Sequence, residues 1–491
     1  MKRINKIVLV EPRAPGYHVY SRVKLPRLGL PMLSAMLRRA GYTDITIYCE
    51  DLAPIDLEDV CRADFVGIST TTSTSLAAYR LGSLVKHRNP RAIVAIGGVH
   101  VTFMPDEPFD SEFCRRFGIE MPVCDHVIRG EAEALIVPLM QALEEGEEVE
   151  PIIGTRLRDN FAQKIDASRT IQDISDLPFP DLTSIVGHER MHIAPIVTSR
   201  GCPFDCTFCS VIEMFGQRMR YRPVDVDDPR SVIAEMKQMH AQNMSSVFFY
   251  DDNFNANRKR TKMLLENMLR ANVVPRAWTA QVRAGEVVKD RELLQLMRRT
   301  NCMMLYLGFE SINPETLHEF NKRQNVEEII EAIRILKEYG IRAHGMFVFG
   351  ADGDTVASLR ATADFAIKND ISTVQFMILT PLPGTRYFEW LHKDGRIFDY
   401  NWSLYDAHHT VFYPKNMTPY ELQVETFEAM KKVYRLSRAA WATLQGNYLT
   451  GFFRLYGHNL IRAHLKRTRD YVNTLPRTLA PLAPAATPIP A

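Results

Sequence analysis

The stretch that decides the fold reads Ile193-Ala194-Pro195-Ile196-Val197-Thr198-Ser199-Arg200-Gly201-Cys202-Pro203-Phe204-Asp205-Cys206-Thr207-Phe208-Cys209. Its opening run, Ile193–Ser199, has the length and β-branched content of a buried strand. Its close spells C-x3-C-x2-C, in the loop position where barrel folds place their chemistry. Thiolates packed this tightly can surround a soft metal centre. A structural zinc site normally takes four protein ligands, and no fourth Cys or His is close in sequence. Three cysteines on a [4Fe–4S] cluster leave one iron open to a substrate or cofactor. Three buried thiols, or a zinc knuckle with a distant fourth ligand, are the plain alternatives.

Working outward toward the C-terminus, strand-like runs recur at Ser246–Tyr250, Ala277–Val282, Met303–Phe309, Ala343–Phe349 and Thr373–Leu379. Helical patterns lie between them, including Val326–Tyr339 and Thr355–Asn369. With Ile193–Ser199 these make six strand–helix units, a partial (β/α)6 barrel over 191–390 with functional residues at strand C-terminal ends. Residues 391–475 read as mostly helical. Within them Leu449–Tyr471 mixes Phe452, Phe453, Leu455, Tyr456, Leu460 and Ile461 with Arg454, Arg462, Lys466, Arg467 and Arg469. The Pro/Ala-rich 476–491 reads as a disordered tail.

Toward the N-terminus a second alternation occupies 1–145. Strand-like runs Ile4–Val10, Ile45–Cys49, Phe65–Ser69, Ile93–Ile96 and His126–Ile128 are separated by helical segments such as Leu28–Ala40. Five strands alternating with helices predict a doubly wound parallel sheet, Rossmann-like or flavodoxin-like, with ligands at the carboxyl ends of its strands. Between the two alternations, 146–190 opens on a run of glutamates and ends in Leu177-Pro178-Phe179-Pro180-Asp181. It reads as a linker with a few short strands.

The whole chain agrees with an α/β protein of two or three domains. It has 491 residues, 46% of them hydrophobic, and a net charge of +2 from 60 Lys/Arg against 58 Asp/Glu. That balance disfavours general nucleic-acid binding. No apolar run is long enough for a membrane span, and the N-terminus has no secretory pattern. The eight cysteines without an export signal argue against a disulfide framework. The expected location is cytoplasmic.

Ser199-Arg200-Gly201 followed by Cys202, Cys206 and Cys209 resembles the signature of radical S-adenosylmethionine (SAM) enzymes, and the resemblance runs over 190–445. It implies that the three cysteines hold a [4Fe–4S] cluster whose open iron binds SAM. It further implies that SAM is cleaved to methionine and a 5′-deoxyadenosyl radical that removes a substrate hydrogen. An electron donor such as flavodoxin or ferredoxin is implied as partner. By motif position, Phe208 would lie against the adenine, and Asp251 and Asp252 of Tyr250-Asp251-Asp252-Asn253-Phe254 would hold the SAM ammonium. Glu310 would meet the ribose hydroxyls, Gln281 and Arg283 the SAM carboxylate, and Gly350 and Thr380 the adenine side. The plain alternatives are a helix N-cap for Asp251 and Asp252, a solvated edge for Gln281 and Arg283, and a tight turn for Gly350.

Residues 1–145 resemble the cobalamin-binding domain fused to one branch of these enzymes. The matching stretches are Pro26–Leu30, Val66–Thr71, Ile96–Thr102 and Arg129–Glu133. They nominate Ser69, Thr70, Thr71, Gly97, Gly98, His100, Gly130 and Glu131 for the cobalamin site. The family's D-x-H-x-x-G cobalt-ligating pattern is absent, because Asp125 and His126 are adjacent. His100 is therefore read as lining the site without ligating cobalt. A domain that no longer binds cobalamin is the plain alternative.

Together the two halves imply radical methylation of an unactivated carbon, on a small-molecule or lipid substrate. The runner-up keeps the radical but forms a ring, couples carbons or rearranges. A methylthiotransferase would need three further cluster cysteines in the N-terminal half, and Cys49, Cys61, Cys114 and Cys124 do not show that arrangement. A cobalamin sensor without catalysis has no use for a complete cluster loop. The aromatic and basic mixture after Leu449 is compatible with peripheral contact at the inner membrane face or with a helix packed on the barrel. His344, Asp352, His408 and His409 are unassigned polar residues near the barrel mouth or on the surface.

Overall fold

The computed structural model describes residues 3–15, 25–154, 173–216, 218–242 and 244–479. Strands β1 (Lys6–Glu11), β2 (Asp44–Cys49), β3 (Phe65–Thr70), β4 (Ile93–Gly98), β5 (His126–Arg129) and β6 (Ile152–Gly154) form one sheet in the order β2-β1-β3-β4-β5-β6. Every neighbouring pair is parallel. The order is flavodoxin-like, with its switch point between β1 and β3, so the strand C-termini there open a crevice. The strands are near-continuous apolar runs because both faces are covered, as in Ile7–Val10, which is wholly buried. The sixth strand lies in the stretch read as linker. Three residues are too few to show a period, so the first sheet reaches past residue 145.

The second sheet contains β7 (Ile193–Ile196), β10 (Ser246–Phe249), β11 (Ala277–Val282), β12 (Cys302–Glu310), β13 (Arg342–Phe349) and β14 (Thr373–Ile378). Its order, β14-β13-β12-β11-β10-β7, follows the chain, and all pairs are parallel. This is the expected partial barrel. The first strand differs in extent. β7 stops at Ile196, and Ser199–Arg200 forms its own strand, β8, paired antiparallel with β9 (Arg220–Tyr221). The ribbon pins both ends of the loop that carries the cysteines.

The C-terminal region is helical as expected, with helices Pro419–Val433, Leu436–Leu444 and Tyr448–Thr474. Thr418 and Glu421 cap the first reciprocally, with Pro419 at its first turn. Tyr434 bolts this region to the barrel: its hydroxyl donates to the Val374 carbonyl at 2.6 Å and accepts from the Val374 amide at 2.9 Å. Arg454 reaches Asp370 at 2.8 Å. The tail expected at 476–491 lies outside the described residues from 480 onward.

Two buried contacts sew the halves together. Arg200 bridges Glu131 at 2.6 Å and Glu133 at 2.5 Å, and Arg220 meets Glu131 at 2.6 Å. Farther along the seam, Trp402 donates its indole N–H to Glu107 at 2.9 Å, and Glu107 also takes hydrogen bonds from Tyr79 and His100. In the 173–190 stretch, Asp181 returns to the first helix, meeting Arg38 at 2.7 Å and Ser34 at 2.9 Å.

Candidate active site at the seam between the two sheets

The cysteine loop leaves the β8–β9 ribbon through Gly201, whose φ is +91° and whose Cβ, if present, would strike the Arg218 carbonyl at 2.9 Å. Only glycine suits both constraints. Cys202, Cys206 and Cys209 are free and partly buried. Burial pushes the Cys209 thiol up to about 12, with the other two cysteines adding to the effect, and burial also raises Cys202. Two donors point at this sulfur set: Asn253 Nδ2 lies 3.9 Å from Cys202 Sγ and Arg283 Nη1 3.7 Å from Cys206 Sγ. Among the described residues no three Cys, His, Asp or Glu converge on a single ion. A cubane takes one thiolate per iron and so needs separated sulfurs rather than one shared shell. The set of three soft ligands with donors to sulfur fits such a cluster.

The nominated SAM residues fall into three groups. Asp252 borders the cavity between the sheets. Burial pushes its carboxyl up to about 7, helped by Asp251 and opposed by the Gly201 amide and Arg200. A cation arriving there would restore the charged form, which suits an ammonium. Arg283 lies over the Phe204 ring at 3.7 Å, donates to the Lys322 carbonyl and faces Cys206. It is neither exposed nor a solvated edge. Phe208 packs on Phe320 at 4.8 Å, beside the third cysteine.

The second group is structural in what it touches. Asp251 accepts from the Thr198 amide at 3.1 Å, the Thr198 hydroxyl at 2.9 Å and the Ser199 hydroxyl. It caps no helix, since Asn257 caps the next one, and it instead holds the chain that enters the cluster loop. Glu310, at φ +60°, is ion-paired with buried Lys322 at 2.7 Å. Gly308 makes room for that pair, because a Cβ there would meet Glu310 Oε1 at 2.5 Å and Lys322 Nζ at 2.9 Å. The Gly350 amide donates to Asp354, and a Cβ at Gly350 would strike Leu422 at 2.8 Å. Thr380 bonds the Ile378 carbonyl at 3.1 Å. The third group is Gln281 alone, which lies on a different cavity, described below.

A cavity of about 430 Å³ opens at the C-terminal ends of the first sheet and faces the barrel. Ser69, Gly97, Gly98, Gly130 and Glu131 line it, as do Gly29, Leu30 and Leu33 of the first helix and Arg200, Met214, Phe215, Tyr250 and Asp252 of the barrel side. Gly98, at φ +105°, has no room for a Cβ against the Thr70 carbonyl, whereas a Cβ on Gly29 would meet nothing within 4 Å. Arg27, partly exposed and paired through Nε with buried Glu11 at 3.2 Å, also lines the cavity, and its Nη1 atom is buried there without a partner. A slot with glycine walls and one unsatisfied guanidinium nitrogen fits a flat cofactor that carries hydrogen-bond acceptors, as cobalamin does.

Thr70, Thr71 and His100 do not line that cavity. Thr70 bonds the Gly97 carbonyl, and Thr71 shares a cap with Thr74. His100 is fully buried, bonded to Glu107 at 2.9 Å and packed 5.3 Å from Trp402. Its position just after a glycine-rich strand end suggested the cofactor, but the helix it sits on turns it into the seam. Arg27, Arg200, Arg220 and Glu133 were not nominated from sequence, because the partners of a lone cation cannot be read from its neighbours in the chain.

A second cavity of about 290 Å³ lies inside the barrel, under the C-terminal helices. Phe248, Tyr250, Gln281, Tyr306, His344, Met346 and Gln375 come from the barrel strands or the residue just past one, and His408, Tyr456, Leu460 and His464 close it. Gln281, Tyr306 and His344 are direct cross-strand neighbours, one row across β11, β12 and β13. Tyr250 lines both cavities. His408 and His409 are buried rather than on the surface, and His409 pairs with Asp406 at 2.9 Å. Asp352 is held by Arg396 at 2.7 Å and lines neither cavity.

Comparison with known proteins gives the geometry its lineage. Residues 196–366 match the radical SAM superfamily, and residues 19–137 match the B12 binding domain. An uncharacterized methyltransferase of Pyrococcus horikoshii is 31% identical over 88% of this chain and 92% of its own length. The bacteriochlorophyllide d C-12(1)-methyltransferase of Chlorobaculum tepidum is 30% identical over 91% of each chain. The chain belongs to the cobalamin-dependent radical SAM methyltransferase family. An anaerobic magnesium-protoporphyrin IX monomethyl ester cyclase of Cereibacter sphaeroides is 27% identical over 94% of this chain and 75% of its own. Among solved structures, the cobalamin-dependent radical SAM enzyme OxsB, with aqua-cobalamin and SAM bound, shares the fold at TM-score 0.64 and 15% identity, covering 96% of this chain and 76% of that one. For this radical SAM methyltransferase the cofactors are therefore a [4Fe–4S] cluster, SAM and cobalamin. No helix among the described residues is long and apolar enough to cross a membrane.

Proposed function

We propose that this radical SAM methyltransferase adds a methyl group to an unactivated carbon of a small molecule held inside the barrel. The observation that carries the reading is the pair of cavities sharing Tyr250, one at the cobalamin-type crevice and one among the barrel strands. When bound, the cofactors supply a hydrogen-abstracting 5′-deoxyadenosyl radical and a transferable methyl group. The chain's own residues supply placement. Cys202, Cys206 and Cys209 ligate, Asp252 offers a buried carboxylate to the SAM ammonium, and Arg283 and Asn253 donate toward the cluster sulfurs. Ser69, Gly97, Gly98, Gly130 and Arg27 shape the cobalamin crevice. The aromatic and apolar barrel wall keeps water from a reactive radical. The reductant is a small electron carrier such as flavodoxin or ferredoxin.

The test is anaerobic reconstitution with iron, sulfide and hydroxocobalamin, then turnover with SAM. Methylation yields 5′-deoxyadenosine, S-adenosylhomocysteine and a product one methylene heavier than its substrate. Deoxyadenosine without S-adenosylhomocysteine would replace methylation by ring formation or rearrangement.

A peripheral membrane contact has support in one surface. Leu436, Trp441, Leu444, Tyr448, Phe452 and Leu455 are exposed along the last two helices. Residues 435–469 contain Arg and Lys but no Asp or Glu. An apolar stripe in an acid-free segment suits an anionic lipid surface. Tyr456, at the end of the stripe, also lines the barrel cavity. The chain is expected to float with phosphatidylglycerol vesicles, and Trp441→Asp with Phe452→Asp to abolish it. Equal recovery of variant and parent would remove the contact.

A further inference from the structure

The described wall of the barrel cavity carries no formal charge. Among the described residues that line it, none is Asp, Glu, Lys or Arg. Its polar members are tyrosine, glutamine and histidine side chains. Burial holds the His344 imidazole down at about 4 and lowers His408 as well, so both rings are neutral. The carboxylate of Asp406, which neighbours His408 and His464, is taken up by His409 at 2.9 Å and by the His408 amide at 2.9 Å.

Several of these polar groups lack partners. His344 Nδ1 meets the Thr373 hydroxyl at 2.8 Å, and the Gln375 side chain is the other hydrogen-bonding group that its ring faces. The Nε2 of Gln375 and both ring nitrogens of His408 are buried and reach no hydrogen-bond partner of good geometry. Gln375 sits against His344, so unspent hydrogen-bonding capacity lies on adjoining strands β13 and β14. Buried polar groups left this way cost free energy unless something satisfies them. The rest of the wall is hydrocarbon or ring surface, including Phe248, Met346, Phe376, Leu460 and Ile461.

We propose that this cavity takes the reacting portion of a neutral, largely hydrocarbon substrate, and that His344, Gln375 and His408 fix a hydroxyl, carbonyl or amide group on it. The proposal rests on the reading of the barrel interior as the substrate chamber, and it adds a chemical class to that chamber. Among the described lining residues a carboxylate or phosphate would find no cation, and an ammonium no carboxylate, so charged portions of the substrate remain outside. A hydrogen-bonded neutral group also fixes which carbon is presented, since a purely apolar wall discriminates weakly between positions.

The test uses the reconstituted full chain and Nile red as the reporter of the chamber. Displacement is measured with octanol, octanamide, octanoate and octylammonium, which share one tail and differ in head group. The expected ranking places octanol and octanamide at least about tenfold ahead of both charged compounds. Gln375→Leu is expected to weaken octanamide while leaving n-octane displacement unchanged. Met346→Trp, which fills the chamber, is expected to abolish the displaceable fraction of the dye. Octanoate or octylammonium matching octanamide on the parent protein would overturn the proposal without any variant. So would displaceable dye that survives in Met346→Trp. Deoxyadenosine formation, measured on the same preparation, reports the radical chemistry separately. A chain that makes none yet keeps the neutral ranking would lose its catalytic reading but not its chamber chemistry, and the reverse result would do the opposite.

Discussion

Arg200 shows how much one residue can carry. It stands between strand and cluster loop, and its guanidinium spans Glu131 and Glu133 of the other sheet. The arginine fork suits two carboxylates in a way lysine cannot match. Arg200→Met would strand Glu133 in the seam. The expected loss is about 3 kcal/mol of stability, read as a lower unfolding midpoint in urea. Cobalamin retention on a desalting column is expected to fall with it. Arg283 is the second such residue. Its positive charge faces Cys206 and favours the reduced, more negative form of a cluster there. Arg283→Leu is therefore expected to lower the cluster's reduction potential, seen by redox titration with electron paramagnetic resonance. An unchanged potential would make Arg283 only a packing group on Phe204.

At the scale of elements, the row Gln281, Tyr306, His344 is set by strand register. Its pH behaviour follows from burial. The His344 pKa falls from 6.5 to about 4 on folding. Between those values the unfolded chain binds a proton that the folded chain refuses. Stability therefore declines as pH drops from 6.5 toward 4, by at most about 3 kcal/mol from this group, and is insensitive to it above 6.5. His464, pushed down to about 3 by burial and its histidine neighbours, adds in the same direction. His344→Gln is expected to flatten part of the slope in unfolding midpoints measured across that range.

The same elements show what the amino-acid order reveals. Both sheets were legible, because apolar runs of strand length alternated with amphipathic helices, and the cysteine spacing exposed the cluster loop. The barrel chamber was less so. A glutamine or histidine inside a strand shows which face it takes, but not which residues of other strands join it. His344 stood out only as a polar interruption, and motif position assigns Gln281 to the SAM carboxylate rather than to this chamber. His408 lies in an irregular segment, where no period marks the inward face. The three-residue strand Ile152–Gly154 is too short to separate from a loop. His100 misled for the opposite reason, since it sits two residues past the strand end that does line the crevice.

At the scale of the whole molecule, Trp402 ties the C-terminal region to the first sheet through Glu107. It is almost wholly buried and also packs against His100 and Phe388. Trp402→Ala is expected to cost about 3–5 kcal/mol and to raise the rate of limited proteolysis at the seam. A variant as resistant as the parent would show that the Arg200 and Arg220 bridges hold the halves without it.

Side chains from three separated parts of the sequence thus bind the halves to each other across the seam. It follows that the polypeptide can be made as two fragments, divided between Gly154 and Asp173, and still find its partner. Co-expressed halves should elute together, and Arg200→Met in one of them should let them drift apart.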